Sequence, residues 1–135
     1  MIESAILTRL LKEINDKNLL NKKQIGFKKG CGTELNLFRL RQRETDIKKI
    51  KNHYTKYVLF IDLKNAYDKV NHRRLFNKLS DLGISKEIIG TIKLLYSKAK
   101  LKISENSEYI NVNNGVLQGS LISPMLFDLY INDFN

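Results

Sequence analysis

Apolar residues recur along this 135-residue chain in two different periods. At the start, Ile2, Ile6, Leu7, Leu10, Leu11 and Ile14 fall mostly three or four positions apart. That spacing predicts an amphipathic helix over 2–14 with one face turned to a core. Leu37, Leu40, Ile47 and Ile50 predict a second helix from Glu34 to about Lys51, basic on its other side. Leu75, Phe76, Leu79 and Leu82 predict a helix over 72–82 that Gly83 stops. Ile88, Ile89, Ile92 and Leu95 predict another, capped by Ser85. Between these the period changes. Tyr57–Ile61 is continuously apolar and partly β-branched, which predicts a strand buried on both faces. LKISENSEYINV (101–112) alternates on either side of a polar centre and predicts a hairpin. NKKQIGFKKGCGT (21–33) and NNG (113–115) predict loops. Ser123 and Pro124 predict a helix start, with Ser as cap and Pro at the first helical position. The helix MLFDLYINDF then runs to the end. The sum is α+β, of a size that fits one domain or a piece of a larger one.

Composition narrows the class. Apolar residues make up 42% of the chain, enough for a core. No apolar run reaches the roughly 18–20 residues that span a bilayer. The opening MIESAILTRLL is too interrupted by Glu3 and Arg9 for a signal peptide. Cys31 is the one cysteine and has no internal partner. The expectation is a soluble intracellular protein, nuclear or cytoplasmic. The formal net charge is +10, and it is unevenly spread. Lys17 to Lys56 carries a net of +9, whereas Ile103 to Asn135 has no Lys or Arg and four acidic residues. A concentrated basic stretch suits a polyanion, because phosphate contacts release counterions. A solvated lysine-rich surface would have the same composition.

Two stretches carry candidate chemistry. In VLFIDLKNAYDKV (58–70) an apolar run ends on Asp62, and Asp68 follows. Phosphoryl and nucleotidyl transfer use two divalent cations about 3.5–4 Å apart, held by several carboxylates. Mg²⁺ takes oxygen ligands and leaves places for water and phosphate. Asp62 suits one such ligand, and the carbonyl of Leu63 another; a helix cap or turn former would show the same single aspartate. In GVLQGSLISPMLF (115–127), a Gln-Gly-Ser step lies between apolar residues before Ser-Pro opens a helix. Glycine there lets backbone approach a ligand closely. An ordinary loop before a core helix reads the same way.

Together these stretches resemble a family. VLFIDLKNAYDKV looks like the first palm motif of reverse transcriptases, and GVLQGSLISPMLFDLYINDF like their second. The segment between them, and QIGFKKGCGTELNLFRLRQ (24–42), resemble the linker and the fingers motif of the non-LTR retrotransposon and group II intron branch. The resemblance implies a partial right-hand polymerase fold, fingers and palm, with a small antiparallel sheet packed by helices. Residues 1–55 would be fingers-like and 56–135 palm, with an intervening fingers-like helical part. It implies RNA-templated DNA synthesis by a complete enzyme, with an RNA template, a DNA primer and dNTP as partners. Two Mg²⁺ ions (Mn²⁺ as substitute) would stabilise nucleophile and leaving group. Asp62 matches the metal-binding aspartate. Tyr67 matches the aromatic beneath the incoming sugar that excludes a 2′-hydroxyl. Gln118 and Gly119 match the loop beside the templating base pair and nucleotide. Lys28 and Lys29 match basic fingers positions near template or nucleotide phosphate. Arg39, Arg41 and Arg43 form a solvated or RNA-facing helix side.

Departures from the family pattern are also specific. Leu117 stands where the branch usually has proline, and Cys31 where arginine is common. His53 and His72 read as surface or structural. Asp68 reads as a cap or salt-bridge partner rather than a metal ligand. Asp128 and Asp133 fall inside the predicted last helix and do not replace the paired aspartates of a third palm motif. That motif and the thumb are expected elsewhere, so the 135 residues alone are expected to be inactive. The alternative is a non-catalytic nucleic-acid-binding remnant of a decayed or domesticated retroelement.

Overall fold

The computed structural model describes residues 2–28, 30–48, 57–102, 104 and 108–133. The described chain is mostly helical. The helices are α1 (Ile2–Asp16), α2 (Thr33–Lys48), α3 (His72–Asp81), α4 (Lys86–Ser97) and α5 (Ser123–Tyr130). α1, α3, α4 and α5 pack around one core, with α3 touching both α4 and α5, and α1 lying on α4. The helical stripes of the sequence supply that core: Ile6, Leu10 and Ile14 from α1, Leu75 and Leu79 from α3, and Ile88, Ile89 and Ile92 from α4. α5 adds Met125, Leu126 and Leu129, and Val70, Val116 and Ile122 close it from the loops.

The helix ends follow from local chemistry. Asn71 caps α3 by accepting the Arg74 amide at 3.0 Å. The C-terminus of α3 closes as a Schellman motif. Gly83, at φ +76°, donates to the Ser80 carbonyl, and Ile84 to the Leu79 carbonyl. Ser85 then caps α4, its hydroxyl accepting the Ile88 amide at 3.5 Å.

Several expectations need correction. Tyr57–Ile61 has no regular secondary structure and is not a strand buried on both faces. Every residue from Tyr57 to Leu63 is exposed, and Tyr57 is 92% accessible. A doubly buried strand needs ladder partners and covering helices on both faces, and the described residues provide neither. The only paired strands among them are β1 (Lys100–Leu101) and β2 (Ile110–Asn111), antiparallel with Lys100 opposite Asn111 and Leu101 opposite Ile110. This is the open end of the expected hairpin, and among the described residues no further strand joins it. α5 starts one residue earlier than predicted. Ile122 holds the cap position without a side-chain bond, and Ser123, the expected cap, is buried with its hydroxyl unpaired among the described residues. α5 also ends at Tyr130 rather than running on, with a turn over 131–133. The expected apolar face of α2 is not covered either: Leu37 and Leu40 are exposed, and no described side chain of α2 is buried. Ile50 lies outside the described residues.

Candidate nucleotide-binding site

The two chemical stretches meet. Residues 64–69 form a tight turn in which Asn65 takes φ +55°. Residues 114–119 pack against it. The Gly115 amide donates to the Val70 carbonyl at 2.7 Å and the Val116 amide to the Tyr67 carbonyl at 3.0 Å. An isolated antiparallel bridge joins Asn71 to Asn114. Gly115 makes the approach possible. It sits at φ +87°, and a Cβ there would lie 3.2 Å from the Asp68 Cα and the Tyr67 carbonyl oxygen. His72 Nε2 bonds to the Gly115 carbonyl at 2.7 Å, and its ring meets Tyr96 edge-on, so His72 is structural as expected. His53 lies outside the described residues.

Around this junction stand three of the expected site residues. Tyr67 is half-buried, its ring 5.1 Å from Phe127 of α5, which fixes the ring's orientation. Burial, and behind it the charge of Asp128, pushes the Tyr67 hydroxyl pKa up, so it stays protonated. Gln118 is exposed, and its side-chain amide donates to Asp68 Oδ1 at 3.2 Å. Asp68 is thus the partner that sets where the Gln118 amide points. Gly119 takes φ +87° with nothing within 4 Å of a Cβ position, which leaves open space beside its backbone.

The other expected residues take no part in the hydrogen bonds given for the junction. Asp62 and Leu63 are on the exposed, irregular segment 57–63. Among the described residues no group of three or more His, Cys, Asp or Glu side chains is arranged to hold a metal ion. One carboxylate is too small a donor set for a pair of divalent cations, so these residues do not by themselves fit the expected metal pair. Lys28 is exposed and, with Phe27, lines an open, largely apolar cleft of about 470 Å³ beside Leu121, Pro124 and Met125. That places one basic fingers residue next to the segment following Gly119. Lys29 lies outside the described residues. Arg39, Arg41 and Arg43 are exposed on α2.

Other residues support the site that the motif positions did not single out. Asp128 is 1% exposed within α5, and its Oδ1 accepts the Gln24 amide at 2.7 Å. Its Oδ2 is buried without a partner among the described residues, and burial raises the Asp128 pKa to about 6. One turn later, Asn132 donates to the Leu19 carbonyl and accepts the Asn21 amide, both at 2.8 Å. α5 and the turn that follows it therefore grip the 19–24 loop that leads to Lys28. The spacing of Asp128 and Asn132 on one helical face was the available signal; nothing local named their partner. Asp133, just past the helix, pairs with Lys78, which lowers its pKa.

The sequence profile of the family described as reverse transcriptase (RNA-dependent DNA polymerase) matches residues 1–135. The chain belongs to this reverse transcriptase family. Its curated relatives are distant. The RNA-directed DNA polymerase from mobile element jockey of Drosophila funebris is 27% identical over 98% of this chain and 14% of its own length. A putative COX1/OXI3 intron 2 protein of Saccharomyces cerevisiae is 30% identical over 65% of this chain and 10% of its own length. The group II intron-encoded protein LtrA of Lactococcus lactis is 27% identical over 70% of this chain and 16% of its own length. The reverse transcriptase chain described here thus spans about one-seventh of the jockey polymerase. Its similarity to both retrotransposon and intron-encoded proteins agrees with the branch that its motifs resemble. Among its described residues no helix is long and apolar enough to cross a membrane.

Proposed function

We propose that this chain is the fingers-and-palm portion of a retroelement polymerase that copies RNA into DNA, and that the junction of residues 64–70 with 114–119 holds the incoming dNTP. The observation that carries this reading is the hydrogen-bonded contact between the two motifs, which puts Tyr67 and the Gln118-Gly119 loop side by side. A family match makes RNA template and nucleotide the expected substrates, and the meeting of the two motifs supports the nucleotide part of this reading. Residues 1–55 act as fingers-like and 56–135 as palm.

The roles follow from the chemistry of each residue. The Tyr67 ring, fixed against Phe127, is a rigid stop for a sugar oxygen. The Gly119 backbone is open to a ligand, and Gln118 offers an amide whose direction Asp68 sets. Lys28 and the α2 arginines are free to meet template or primer phosphates. The family uses divalent metal ions, Mg²⁺ first, with Mn²⁺ as substitute. Asp62 is the carboxylate this chain offers them, accessible and unburied. The other ligands come from outside these residues, so the 135-residue chain alone does not polymerise.

Primer extension tests this. The polymerase chain that carries this domain should extend a DNA primer on an RNA template with dNTP and Mg²⁺, and Asp62→Asn should stop it. The isolated 135 residues should give no extension. Extension that survives Asp62→Asn, or clear incorporation by the isolated chain, overturns the assignment. Salt-sensitive RNA binding without any extension by the longer chain would favour the non-catalytic remnant, for which the exposed basic face of α2 is the supporting feature.

A further inference from the structure

The Gln118–Leu121 loop is held from two sides, and one of them is the N-terminal helix. Glu3, in the first turn of α1, reaches across 118 positions of sequence to this loop. Its Oε2 accepts the Ser120 hydroxyl at 3.1 Å and the Leu121 amide at 2.9 Å. The Ser120 oxygen in turn accepts the Ile122 amide at 3.4 Å, and the Ser120 amide closes a turn onto the Leu117 carbonyl at 3.2 Å. From the other side Asp68 holds the Gln118 amide. Gly119, at φ +87°, is the hinge between these two fixed points.

α1 is a firm support for that contact. Ile6, Leu10 and Ile14 are buried in the core. At its far end Glu13 accepts the Ser85 amide at 2.9 Å, and Lys17 bonds to the Gly83 carbonyl. Hydrogen bonds from Ser85 hold the Glu13 carboxyl below its ordinary range, so it is ionised and in place at neutral pH. A helix fastened at one end and along its buried face resists displacement at the other. Bonds to a charged acceptor are stronger and shorter than neutral ones, so a single carboxylate taking a hydroxyl and an amide is an effective clip for a glycine-containing turn.

We infer that Glu3 is a positioning residue of the polymerase: by clipping Ser120 and Leu121 it sets the Gln118-Gly119 backbone against the incoming nucleotide. This rests on the nucleotide-site reading above. Glu3 touches no reacting atom; it acts through the loop. The test uses the polymerase chain that carries this domain, in steady-state primer extension with varied dNTP. Glu3→Ala should raise the KM for dNTP roughly tenfold, the effect of losing a hydrogen bond to a charged group, with little change in kcat. Glu3→Gln keeps one acceptor oxygen and should recover part of that loss. Arg9→Ala is the control on the same helix, since it removes only an exposed ion pair with Glu87 and should leave the KM unchanged. Hydrogen exchange should show the Leu121 amide opening faster in Glu3→Ala and not in Arg9→Ala. An unchanged KM in Glu3→Ala, an equal rise in Arg9→Ala, or an unaltered Leu121 amide overturns the assignment while the polymerase reading stands. A wild-type chain that incorporates no dNTP overturns the polymerase reading and this one with it.

Discussion

Single residues decide whether the two motifs can meet. Gly115 is the sharpest case, because its positive φ and the 3.2 Å approach of Asp68 and Tyr67 backbone atoms leave no room for a side chain. Gly115→Ala should cost about 1–3 kcal/mol in chemical denaturation and loosen the Tyr67–Val116 contact. Asp128 predicts an unusual pH dependence. Its pKa rises from 3.8 to about 6 on folding, so between these values the folded state keeps a proton that the unfolded chain has released. Stability from this group is therefore greatest at low pH and falls as pH climbs from about 4 to about 6, by roughly 3 kcal/mol in all. Asp128→Asn keeps the oxygen that Gln24 bonds and should flatten that slope in urea melts at several pH values. A variant with the wild-type slope would place the proton elsewhere. At this scale the sequence was partly legible. Tyr67, Gln118 and Gly119 were visible as candidates, but Asp68 as the holder of Gln118, Glu3 as a clip and Gln24 as the partner of Asp128 depend on contacts 50–118 positions apart, which no local pattern encodes.

At the scale of elements, helical periodicity read well wherever a helix buries one face. α1, α3 and α4 fall where their apolar stripes place them, and the Asn71, Gly83 and Ser85 ends are set by short-range hydrogen bonds. Ser85→Ala should accordingly cost about 1 kcal/mol in thermal unfolding. Periodicity read poorly where burial depends on other segments. Tyr57–Ile61 has the composition of a central strand but no ladder partner among the described residues, and Leu37 and Leu40 of the α2 stripe are left exposed. α2 instead presents Arg39, Arg41 and Arg43 to solvent. If Arg39 and Arg43 each contact a phosphate of single-stranded RNA, replacing both with Gln should flatten the slope of log K against log salt by about 1.4. An unchanged slope in filter binding would make that face a merely solvated one.

At the scale of the whole molecule, the described residues form a helical core against which the two motif segments pack. α5 and the turn after it grip the 19–24 loop through Asp128 and Asn132, α1 clips the 118–121 loop through Glu3, and Gly115 locks the first motif to the second. These bonds tie three distant segments to the helical core. The motif order along the sequence foretold the family; the way the segments meet comes from these long-range bonds. The central claim is that the Tyr67–Gln118 junction receives a deoxynucleotide. The most direct measurement is the ratio of kcat/KM for dNTP over the matching rNTP in primer extension by the polymerase chain carrying this domain, for the wild type, Tyr67→Phe and Tyr67→Val. The account predicts that wild type and Tyr67→Phe favour dNTP alike, since both keep the ring, and that Tyr67→Val narrows the ratio by about tenfold or more, equivalent to roughly 1.4 kcal/mol of transition-state discrimination. A ratio unchanged in Tyr67→Val would contradict it.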